Sequence, residues 1–176
     1  MLRCSAILLA AATFAAAQSH KYSVGGTPSP EEIRNLGPSI GPNGDGLPAG
    51  SGAAVAGRGV YAAKCASCHG DKGQGGTGGP ALAGGKGTLT TPKPLKTVGS
   101  YWPYATTLWD YTNRAMPFYQ PRQLTPDEVY AVVGYVLFIN GIVGENQIMD
   151  ARSLPKVRMP NRDGFVADSR PDVGKQ

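Results

Sequence analysis

The pattern of apolar and polar positions is sharpest near residue 130. Val129, Val132, Val133, Val136 and Leu137 recur at i, i+3, i+4, i+7 and i+8, the spacing of one helical face. Ahead of them, Thr125-Pro126-Asp127-Glu128 reads as a capping box with proline at the first helical position. Leu124 and Val129 stand at the two hydrophobic-staple positions. Asn140-Gly141 supplies the stop, so the spacing predicts a helix that begins and ends within this window.

Three weaker patterns precede it. Tyr104, Leu108 and Tyr111 are spaced as one face of a helix between Pro103 and Arg114, with Trp109 beside them. Ala53 to Lys64 has helix-compatible composition, places Gly57 and Tyr61 four apart, and runs directly into Cys65. Ser29-Pro30-Glu31-Glu32 carries the signature of a short capped helix over Pro30–Leu36.

Between these segments the chain is rich in turn-forming residues. Gly37 through Gly52 strings together Gly-Pro, Asn-Gly, Asp-Gly and Leu-Pro steps, which predicts an arm wrapping the domain or a linker. Residues 70–99, with three glycine pairs and prolines at 80, 92 and 94, read as one long loop, and loops of that length usually wrap something. After Gly144 the sequence is polar and charged, so it reads as a surface extension in which only Ile148–Leu154 coils briefly. The expected fold is mainly α, organised as a leader (1–17), an N-terminal arm (18–52), a helical domain (53–144) and a C-terminal extension (145–176).

The leader follows from Met1-Leu2-Arg3, an apolar run from Ala6 to Ala17, and small residues before Gln18. These are the features of an exported chain cleaved after Ala17. The run is well short of the roughly 20 residues that cross a bilayer, which disfavours a membrane anchor. Cleavage removes Cys4 and leaves Cys65 and Cys68 as the only cysteines, three apart. A periplasmic location is expected, and the mature chain stays mildly basic.

Arg58, Lys64, Lys72, Lys86, Lys93 and Lys96 face the single acid Asp71 over residues 58–96. Such a field steers acidic partners, or is simply a solvated surface. No nucleic-acid-binding motif accompanies it.

Cys65-Ala66-Ser67-Cys68-His69 carries the chemistry. C-x-x-C-H is the form in which two thiols add across haem vinyl groups while the adjacent histidine ligates iron. With three cysteines and two histidines in the chain, chance would produce it about once in two thousand sequences of this composition. Zinc needs about four ligands, and only a distant His20 is left to help. A thioredoxin-like pair needs a βαβ setting, and a plain disulfide leaves His69 unexplained. For a sixth iron ligand the mature chain offers Met116, Met149 and Met159. Met116 lies in Arg-Ala-Met-Pro-Phe, between two predicted helices, whereas the others lie in the tail. A methionine most often fills gaps in a core, but this position favours Met116 as the distal ligand. Imidazole with thioether raises the potential, which suits electron transfer.

At these residues the chain resembles the class I cytochrome c family. Gly57 and Tyr61 look like the family's first-helix glycine and aromatic, Pro80 like the proline after its haem motif, and Tyr135 like its last-helix aromatic. The resemblance implies the class I fold, a few helices around one covalent haem c. It also implies that the Pro80 carbonyl orients His69 by accepting its second ring proton. More narrowly, the run Tyr101–Tyr111, Arg114–Phe118 and Leu154–Phe165 resemble the SoxD-type cytochrome subunits of sulfane dehydrogenases. That implies a SoxC-like molybdenum subunit as electron donor, which oxidises sulfite or sulfane sulfur, and a downstream acceptor. The expected site is then Cys65, Cys68, His69, Met116 and Pro80, with Trp102, Tyr104 and Trp109 available to pack the haem, in an electron-transfer protein that is not itself the enzyme. The rival readings are a carrier serving another dehydrogenase and a haem protein with an open distal position.

Overall fold

A computed structural model of the chain describes residues 25–168 and Arg170. The expected leader, its cleavage point, Cys4 and His20 lie outside the described residues. The structure divides at Gly37 into two units.

In the first unit, helix α1 (Pro30–Leu36) is closed by the expected capping box. The Ser29 hydroxyl accepts from the Glu32 amide at 3.1 Å, and the Glu32 carboxylate accepts from the Ser29 amide at 2.7 Å. These bonds hold the Glu32 carboxyl below its ordinary range. No α1 residue is buried.

The second unit begins at Pro38 and is mainly helical. Strand β1 (Ser51–Ala53) leads into α2 (Ala54–Lys64) and the single turn α3 (Ala66–His69). After a long loop come α4 (Ala105–Ala115) and α5 (Pro126–Ile139), then β2 (Ile148–Asp150) and a 3-10 turn at Leu154–Lys156. β1 pairs with β2 in antiparallel register, Gly52 opposite Met149.

The core lies where α2, β1 and β2 meet α5. From Val129 to Leu137 every residue of α5 is buried, so this helix is covered all round rather than on one face. α2 comes close because Gly57 faces it: a Cβ there would strike the Ala131 carbonyl oxygen. The helix propensity lost at Gly57 is therefore exchanged for backbone-to-backbone contact. Beside it Tyr61 packs on Tyr135, ring centroids 5.1 Å apart.

Two expectations need correcting. The tail is not a surface extension. Met149, Leu154, Val157 and Met159 are all buried members of the core. Four apolar side chains separated by polar ones carry no helical or strand period, so their burial is decided by tertiary packing alone. The turn that aims them is polar: the Asp150 carboxylate accepts from the amides of Ser153 (2.7 Å) and Arg152 (2.8 Å), which lowers its pKa.

The second correction concerns α4. Its buried face is Ala105, Thr106, Leu108 and Trp109. Tyr104 is the residue before the helix rather than part of its face, and Tyr111 is half exposed, lying edge-on to Trp102 at 5.7 Å.

Within this unit the segment from Pro38 behaves as the wrapping arm. The Tyr130 hydroxyl donates to the Pro48 carbonyl at 2.9 Å, Arg114 donates to the Pro38 carbonyl at 2.5 Å, and Ile40 and Leu47 pack against the core. Among the described residues no helix is long and apolar enough to cross a membrane.

Candidate functional site

Cys65 closes α2, its amide bonded to the Tyr61 carbonyl at 2.9 Å, and Cys68 and His69 follow on the next turn with their amides on the Cys65 carbonyl. Gly70, at φ +79, ends that turn with a backbone conformation that side chains resist. Both thiols are free and half-buried. Burial, with the neighbouring Cys68 adding to it, pushes the Cys65 thiol up to about 11, so it is a neutral thiol at physiological pH.

His69 is buried, and its Nδ1 lies 2.8 Å from the Pro80 carbonyl oxygen. A carbonyl can only accept, so Nδ1 is the donor, and in the neutral tautomer that makes this bond the lone pair is on Nε2. The loop that delivers Pro80 is built to come close. A Cβ on Gly79 would sit 2.8 Å from His69 Cε1, and one on Gly78 would sit 3.0 Å from the Cys68 sulfur. The Gly75 amide returns to the His69 carbonyl at 2.7 Å, and Gly76 bonds Gly79 across the turn.

Two side chains from the helices anchor this loop. The Tyr61 hydroxyl donates to the Gly70 carbonyl at 2.8 Å, tying the core helix to the residue after His69. Asn140 leaves the end of α5 to bond Leu82 and Gly84, and sequence reading takes it only for a helix stop.

Met116 sits at the C-cap of α4, half-buried, before a cis peptide bond to Pro117. Phe118 and Tyr119 beyond it are strongly exposed. Met149 is fully enclosed, with its Cγ against Gly134, and Met159 is packed with Leu154 and Val157, so both are occupied as core residues. Trp102 and Tyr104 are half-buried. Trp109 is fully buried against Tyr130, and its Nε1, like the Thr106 hydroxyl, has no hydrogen-bond partner among the described residues. Of the six cations around the motif, Arg58 is paired with Glu145 at 2.5 Å and Lys96 lies 5.0 Å over the Tyr101 ring.

The donor set fits a covalent haem: two free thiols on one turn, an imidazole with its tautomer fixed, and a glycine cradle that side chains would fill. Among the described residues no three His, Cys, Asp or Glu side chains gather as a metal cluster.

Residues 54–139 match the cytochrome c family. The structure is similar to a chain in the crystal structure of the sulfane dehydrogenase SoxCD from Paracoccus pantotrophus. The TM-score is 0.76 at 41% identity, covering 86% of this chain and 75% of that one. A comparison with curated proteins finds no match. The chain belongs to the class I cytochrome c family, and its single attachment motif carries one covalent haem c.

Proposed function

We propose that this chain is the cytochrome subunit of a periplasmic sulfane or sulfite dehydrogenase, reached by export and cleavage after Ala17. A molybdenum-containing SoxC-like subunit oxidises the sulfur substrate, and this chain passes the electrons singly to a downstream acceptor, so it holds no catalytic residue of its own. The observation that carries this reading is the likeness to a SoxCD chain over 86% of the sequence, which extends past the helical domain.

In this reading Cys65 and Cys68 fix the haem through thioethers, His69 binds iron through Nε2, and the Pro80 carbonyl holds the ring. Met116 supplies the distal sulfur, because Met149 and Met159 are committed to the core. The haem supplies a one-electron couple. Imidazole and thioether favour its reduced form and leave no position for small ligands. The buried His69 and glycine cradle limit water near the proximal side.

The reading is tested by purifying the protein from its native host with whatever copurifies and adding sulfite or a protein-bound sulfane. Substrate-dependent haem reduction at the rate of turnover is expected. Reduction by dithionite alone, in a preparation lacking a molybdenum subunit, would leave a carrier for another dehydrogenase as the better account.

A further inference from the structure

We propose that Asn140 is a positioning residue for the proximal imidazole, acting through the loop that carries Pro80. This rests on the ligand role given to His69 above.

Asn140 is the C-cap of α5. Its side-chain amide donates to the Val136 carbonyl at 2.8 Å and to the Leu82 carbonyl at 3.1 Å, and its side-chain oxygen accepts from the Gly84 amide at 3.1 Å. The loop partners are 56 and 58 residues away in sequence. Gly84 is held a second time through the following peptide, where the Thr97 hydroxyl donates to its carbonyl at 2.5 Å. Gly99 lies against the Asn140 side chain so closely that a Cβ there would sit 2.7 Å from Cγ. Thus the rigid end of the most buried helix grips the loop at Leu82 and Gly84, two and four residues after Pro80. The Leu82 and Ala83 amides in turn bond the Gly73 carbonyl, closing the loop around His69.

A carbonyl accepting from Nδ1 makes the imidazole a stronger electron donor to a metal. Releasing the loop weakens that bond and favours reduced iron. Asn140→Ala in the haem-loaded protein is expected to raise the equilibrium constant for reduction three- to tenfold, or roughly 30–60 mV at 59 mV per tenfold. It should also speed exchange of the His69 Nδ1 proton at least tenfold. Thr125→Ala, which removes the cap at the other end of α5, should change both by less than twofold. If Asn140→Ala yields no haem protein, the uncharged Asn140→Ser, whose short side chain gives up the bonds to Leu82 and Gly84, is measured in the same way. Parity with Thr125→Ala in both readouts overturns the proposal. In the unaltered protein the Gly84 amide and the His69 Nδ1 proton should exchange with one denaturant dependence, and two different dependences overturn it whatever the variants do. Absence of an iron-shifted His69 ring signal in the unaltered protein is a different failure, that of the ligand role itself.

Discussion

Where α2 crosses α5 the chain is held by shape, whereas the loop from Gly70 to Ser100 is held by hydrogen bonds. At the crossing Gly57 admits the Ala131 backbone, and Tyr61, Val133, Tyr135 and Met149 fill the space around it. In the loop little apolar mass is buried. Thr88, Thr97 and Ser100 hydroxyls bond peptide groups of the same loop, and Asn140 reaches in from outside. Burial at the crossing supplies stability. The loop supplies the placement of one carbonyl against His69, which apolar packing alone does not specify to a fraction of an ångström.

The two regions should therefore fail differently. Gly57→Val drives a side chain into the Ala131 carbonyl and should cost more than about 3 kcal/mol in chemical denaturation. A loss under about 1 kcal/mol would mean that the helices can separate freely. Met149→Ala should cost roughly 3 kcal/mol and leave the haem spectrum unchanged. Met116→Ala should do the reverse, changing stability little while the reduced protein gains rapid carbon monoxide binding. On the loop side, Gly79→Ala presses a methyl onto the His69 ring. It should cost about 1–2 kcal/mol and shift the His69 signals more than any crossing variant does.

The smallest effect expected is on the alkaline side. Burial raises the Tyr61 and Tyr130 hydroxyls to about 12, above the ordinary value near 10. In the unfolded chain these groups release their protons first. Stability is then full below pH 10 and falls as pH rises towards 12. Denaturation curves across that window should flatten in Tyr61→Phe, and an unchanged slope would show that Tyr61 opens to water at little cost.

What could be read in the sequence follows the same division. The limits of α1 and α5 were legible because capping boxes are local: Ser29 with Glu32 and Thr125 with Glu128 bond within four residues. The attachment motif was legible because covalent chemistry fixes its spacing. The burial of Met149, Leu154, Val157 and Met159 was not, since it depends on β2 pairing with a strand about a hundred residues earlier, not on any period in the tail. The turned face of α4 is hidden because aromatic size at Tyr104 and Tyr111 outweighs Thr106 in any apolar count, although Thr106 is the buried residue. Asn140 reads in the sequence as a stop because its local role hides bonds to residues far away in sequence.

The central claim is that Cys65 and Cys68 carry one haem. Intact-mass and peptide mass spectrometry of the exported chain, produced in a host that matures c-type cytochromes, tests it directly. The expected result is the polypeptide plus the mass of one haem, located on the peptide that spans Cys65 to His69. A chain of unmodified mass, or one lighter by two hydrogens through a Cys65–Cys68 disulfide, would contradict it.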